Sequence, residues 1–69
     1  MMIAWQYVGA GWRDEWRAET PAGRVWISRH PRANRGAYVV WVGGDRVGER
    51  NTLELARWMA ENTIEGRLG

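Results

Sequence analysis

Residues 37–60 read AYVVWVGGDRVGERNTLELARWMA, and the change of period inside this stretch decides the fold. From Ala37 to Arg50 the period is two, interrupted by the turn signature Gly43-Gly44-Asp45. Two antiparallel strands joined by a tight turn are therefore expected at Ala37–Val42 and Arg46–Arg50. From Asn51 onward the period is that of a helix. Asn51 is a candidate N-cap, with Glu54 three residues on to complete a capping box. At about 100° per residue, Leu53, Leu55, Ala56, Met59, Ala60 and Ile64 fall on one half of the wheel. Glu54, Arg57, Glu61 and Glu65 cluster on the other half. Trp58 lies at the polar edge, either lapping a sheet edge or exposed as a rim residue for a partner.

Toward the N-terminus the period of two continues. Thr20-Pro21-Ala22-Gly23 has Pro and Gly where a β-turn takes them, and it separates strands at Glu15–Glu19 and Arg24–Arg29. An earlier strand, Ile3–Val8, pairs at an edge. The expected class is α+β: an antiparallel β-meander of three to five strands followed by one C-terminal amphipathic helix packed on one sheet face. Residues 1–63 form a single domain, with 64–69 a short C-terminal tail. Ile64-Glu65-Gly66-Arg67 spells a tag-removal protease site, which allows a vector-derived scar, although Ile64 continues the apolar face of the helix.

Alternation then assigns the two faces of the sheet. Trp16, Ala18, Val25, Ile27, Tyr38, Val40, Val42 and Val47 point toward the helix. Glu15, Arg17, Glu19, Arg24, Trp26, Ser28, Val39, Trp41, Arg46 and Arg50 point away. One helix covers one face, so Trp26 and Trp41 stay uncovered unless the first strand and Trp5 fold across them. The placement of Trp5 and of Trp12, core or surface, is open.

Composition points the same way. The chain has 69 residues with six Trp and ten Arg, and no Lys, Phe or Cys. Trp and Arg are enriched at interface hot spots and Lys is depleted there, although a GC-rich genome writes the same bias without selection for binding. A domain of this size buries only about 60% of its unfolded surface and has no disulfide to help it. The net charge is +2, too small to imply nucleic acid by itself. Its distribution is uneven: Arg24, Arg29, Arg32 and Arg35 give the segment 24–36 a local charge of +4, against −2 for the rest. Arg29, Arg32 and Arg35 form a basic loop group around His30–Gly36.

Catalytic signatures are missing. Ser28 and His30 lie two apart on a strand end with no third residue to orient the imidazole, and the carboxylates sit in turns or on exposed strands. One His and no Cys make no metal set, the glycines are turn formers, and no cofactor is expected. Met1 to Val8 lacks the order of a secretory signal, and no apolar run approaches the ~20 residues of a membrane span, so a cytoplasmic protein is expected.

The runs Gly36–Val42, Gly43–Gly48 and Asn51–Trp58 together resemble a pattern of small phage and prophage domains. In outline they are similar to the arm-binding domain of phage integrases, in which a three-stranded sheet backed by a helix presents Arg and aromatic residues to DNA. That resemblance implies contacts at Arg24, Trp26, Trp41 and Arg46. The chain departs from it in having no Lys and in placing Glu15 and Glu19 on the candidate face. Its length also resembles that of compact phage accessory proteins, including anti-CRISPR-like inhibitors. The resulting expectation is a non-catalytic phage or mobile-element accessory protein that binds and inhibits a host protein or nucleoprotein. Arg17, Arg24, Trp26, Trp41 and Arg46 would make the contact. DNA binding by the same face with the basic loop is the alternative, and a homodimer sharing Trp26 and Trp41 is the third.

Overall fold

The computed structural model describes residues 3–9, 11–30 and 34–69. Alternating apolar positions produce five strands: β1 (Gln6–Gly9), β2 (Asp14–Thr20), β3 (Gly23–Arg29), β4 (Tyr38–Val42) and β5 (Asp45–Arg50). They pair in sequence order as an antiparallel meander and are followed by one helix, α1 (Leu53–Leu68). This is the expected α+β architecture. The first strand begins at Gln6 rather than Ile3, because Ile3 and Trp5 pack against the helix-side core instead of pairing.

Two glycine-bearing turns set the register. Gly43 and Gly44 take φ of 60° and 93°, the left-handed geometry that a two-residue hairpin needs to match strand twist. The Gly43 amide donates to the Arg24 carbonyl at 2.8 Å, tying this turn to β3. At the other turn the Thr20 hydroxyl donates to the Gly23 carbonyl and accepts from the Ala22 amide.

The core lies between the sheet and α1. Val25, Ile27, Val40, Val42, Ala56, Ala60 and Ile64 are fully buried there, with Ala18 nearly so. Trp16, Tyr38 and Val47, as alternation assigned, and Leu53 and Met59, as the helical wheel assigned, pack around them. Leu55 is a correction: it is 48% exposed, while Arg57 and Glu61, placed on the solvent half of the wheel, are half-buried. The buried stripe runs through Ala56, Ala60 and Ile64, where two small side chains bring the helix close to the strands and rotate Leu55 outward.

The cap is a second correction. Thr52, not Asn51, has the extended N-cap conformation, and its hydroxyl accepts from the Leu55 amide at 3.1 Å. Thr52→Ala is expected to lower stability by about 1 kcal/mol, and Asn51→Ala by much less. Urea midpoints of the two variants decide between the positions. At its far end the helix runs through Ile64 to Leu68 rather than stopping at Thr63. The Arg67 guanidinium donates to the Val42 carbonyl at 3.2 Å and pairs with Asp45 at 3.3 Å, clamping the last turn to the β4–β5 hairpin.

Candidate interaction face

With α1 on one side of the sheet, the strand registers fix what stands on the other. Arg17 pairs with Trp26, Trp26 with Trp41, and Trp41 with Arg46, while Gln6 sits opposite Arg17 on β1. Gln6, Arg17, Trp26, Trp41 and Arg46 therefore form one row that crosses the whole sheet. The next row, two residues along β1 to β4 and three along β5, is Val8, Glu15, Ser28, Val39 and Glu49. Glu19 and Arg24 face each other beyond the first row.

The two indoles at the centre lie nearly parallel, with ring centroids 5.7 Å apart and planes 12° apart. Offset parallel stacking suits the ring quadrupoles, and each ring shields part of its neighbour; both are half-buried. Ile3 and Trp5 join the opposite, helix-side core, so they do not lie over Trp26 and Trp41.

Around the indoles every charge has a partner. Arg24 pairs with Glu19 at 2.8 Å and Arg46 with Glu49 at 3.3 Å. Arg17 pairs with Glu15, which a second guanidinium, Arg13, approaches at 3.3 Å. Held this way, Glu15 is only 8% exposed. A carboxylate that deep needs both cations, since an unpaired buried charge is costly.

Glu49 reaches this face through an irregularity that alternation missed. Between Val40 and Trp41 the register on β5 jumps from Gly48 to Arg46, a β-bulge with Val47 as the extra residue. The bulge reverses the faces beyond it, so Glu49 stands opposite Val39 on the open side and Arg50, expected there, turns to the helix side opposite Tyr38.

The basic loop does not assemble as expected. The Arg29 guanidinium donates to the Gly36 carbonyl at 2.9 Å and lies 5.3 Å over the Tyr38 ring, on the helix side of the sheet. It closes the loop rather than facing a ligand. Arg35 is exposed in the short turn Asn34–Gly36, with φ of 55°. Arg32 lies outside the described residues. Trp58 is 63% exposed, but on α1, in the layer away from Trp26 and Trp41. The hollow beside it is lined by Leu53, Glu54, Arg57 and Glu61 of the same helix, an open surface rather than a cleft.

A second aromatic row, unrecognised in the sequence, runs along the helix side where α1 does not reach. Trp16 touches Tyr7 at 5.4 Å and Tyr38 at 5.7 Å between ring centroids. The Tyr7 hydroxyl donates to Asp14 at 2.5 Å. That hydrogen bond, then desolvation and the carboxylate charge, hold the phenol above its usual pKa. Trp12, 63% exposed, lies beside His30 and under the Arg13 guanidinium. Among the described residues no helix is long and apolar enough to cross a membrane. No family model, curated protein or solved structure matches the chain.

Proposed function

We propose that this chain is a non-catalytic protein-binding module that docks through the open sheet face, with Trp26 and Trp41 as anchors and Arg17, Arg24 and Arg46 around them. The observation that carries this reading is the stacked, half-exposed indole pair at the centre of the sheet face opposite α1. Apolar aromatic surface at the middle with paired charges at the margin is how protein interfaces are built.

The arginines of the same face are already engaged: Arg13 and Arg17 hold Glu15, Arg24 holds Glu19 and Arg46 holds Glu49. A polyanion gains little from guanidiniums that already hold carboxylates, and Arg29 is engaged in the loop. Protein therefore fits this surface better than DNA. The further proposal, that docking inhibits a host protein or nucleoprotein in a phage or mobile-element setting, is supported by the resemblance of the segment Gly36–Trp58 to phage accessory domains.

Affinity capture from a cell lysate, with and without nuclease, tests the reading. A protein partner is expected to survive nuclease treatment and to be lost when Trp26 and Trp41 are both replaced by alanine. Capture that vanishes with nuclease selects the DNA reading, and capture indifferent to the double substitution removes the face from consideration.

A further inference from the structure

The two central rows of the open face differ in a regular way. One row has long side chains at its middle and cations at its flanks: Arg17, Trp26, Trp41, Arg46. The adjacent row has small side chains at its middle and anions at its flanks: Glu15, Ser28, Val39, Glu49. Val39, 7% exposed, is already screened by its own neighbours, so the half-buried Ser28 marks the trough beside the indole ridge.

Ridge and trough, cation and anion, are related by a two-fold axis. Let the axis lie in the plane of the interface, perpendicular to the strands and midway between the two rows. Rotation about it places each row of one copy over the other row of its partner. Trp26 then rests over the partner copy's residue 28 and Trp41 over its residue 39. Arg46 meets the carboxylate at position 49 of the other copy, which is 49% exposed. Glu15 is enclosed by Arg13 and Arg17 of its own chain, so Arg17 only lies alongside the same cluster of the other copy. The pairs Arg17–Glu15 and Arg46–Glu49 already exist within one chain. At the Arg46–Glu49 flank docking sets two such pairs side by side, as a ring of alternating charge. Sheets that pack face to face cross at about 30°, a mismatch that a flexible Arg side chain absorbs at the flanking positions.

We infer that the occupant of the open face is a second copy of this chain, forming a two-fold sandwich in which the Arg17–Trp26–Trp41–Arg46 row of each copy lies over the Glu15–Ser28–Val39–Glu49 row of the other. This rests on the reading of that face as a protein-docking surface and names its partner. Other placements of the axis fail on charge: along the strands, or on the tryptophan row itself, it would put guanidinium on guanidinium. Five strands about 4.8 Å apart make a face about 20 Å wide, toward the small end of stable interfaces. Dissociation on the order of micromolar is therefore expected.

The test is mass in solution by sedimentation across the micromolar range. The parent chain is expected to pass from monomer to dimer. Ser28→Arg fills the trough opposite Trp26 and is expected to weaken association at least ~30-fold. Glu49→Arg alone and Arg46→Glu alone place like charges across the axis and weaken it. The double exchange Arg46→Glu with Glu49→Arg restores both pairings and is expected to recover most of the loss. Circular dichroism on each variant separates lost association from lost fold.

A parent chain that stays monomeric overturns the proposal. So does a dimer indifferent to Ser28→Arg and Glu49→Arg, which would place the contact elsewhere, first at the uncharged β1 edge Gln6–Gly9. If the parent is monomeric while Trp26→Ala still abolishes capture of a lysate protein, self-association falls and the docking face stands. If both assays are negative, both readings fall.

Discussion

Replacing Ile64 by alanine is expected to remove the cooperative unfolding transition at 37 °C. Ile64 is fully buried and is, with Ile27, one of the largest completely enclosed side chains of the core. Truncating such a residue costs about 2–5 kcal/mol, the transfer free energy of the lost methyl groups plus the cavity they leave. Domains below ~70–80 residues rarely exceed about 3–5 kcal/mol in total, so the loss is comparable to the whole stability. Near-ultraviolet circular dichroism and amide dispersion in NMR spectra would report it. Ile64→Val, which removes one methyl, is expected to cost about 0.5–1.5 kcal/mol and keep the fold. Leu68→Ala serves as the control: that side chain is 47% exposed, and a shift within about 0.5 kcal/mol is expected. An Ile64→Ala chain melting within a few degrees of the parent would mean that the last helical turn contributes nothing to the core.

Ile64 also illustrates what periodicity carries and where it stops. Its place on the apolar half of the wheel was legible, because that argument needs only its spacing from Ala56 and Ala60. Whether the helix continues through it depends on contacts 20 or more residues away, between Arg67 and the Val42–Asp45 hairpin, and no local pattern encodes those. The same division holds in the sheet. Alternation placed Val25, Ile27, Val40 and Val42 inward and Trp26 and Trp41 outward, since a strand with one buried face strongly specifies its register. It misplaced Arg50 and passed over Glu49 because one extra residue in β5 reverses every later assignment.

A signal for that reversal was present. Gly48 is an isolated glycine inside a strand pattern, a common mark of a bulge or of a close approach. Both apply: a Cβ built there would lie 2.8 Å from the Met59 methyl, so the helix rests where position 48 has no side chain. Leu55 fails for a related reason. A hydrophobicity wheel weights leucine above alanine, whereas close packing of helix on sheet prefers the small side chains of Ala56 and Ala60 at the line of contact. The pairing of each face arginine with a nearby glutamate was half visible. Glu19 and Arg24 flank a tight turn, but the Arg46–Glu49 pair exists only because of the bulge.

Trp26→Ala and Trp41→Ala are each expected to weaken docking by about 30-fold or more, or ~2 kcal/mol, whether the occupant is a second copy or another protein. Their effect on folding should be smaller. Both indoles are half-exposed and neither belongs to the helix-side core, so what folding loses is mainly their mutual stack, about 0.5–1.5 kcal/mol, together with some partial burial. Because each ring shields the other, the two substitutions are not independent. The second is expected to cost the fold less than the first, with a coupling of about 0.5–1.5 kcal/mol in a double-mutant cycle. Binding should be subadditive for the same reason, since one indole left alone loses the flat platform that the pair presents. Trp58→Ala supplies the contrast. Its ring is 63% exposed, more than either face indole, and it stands on α1, in the layer away from the open face. If exposure of any tryptophan were enough to hold a partner, this would be the more damaging replacement. If the position of the stacked pair at the centre of the sheet decides, it leaves the affinity unchanged within about twofold, while Trp26 and Trp41 cannot be spared.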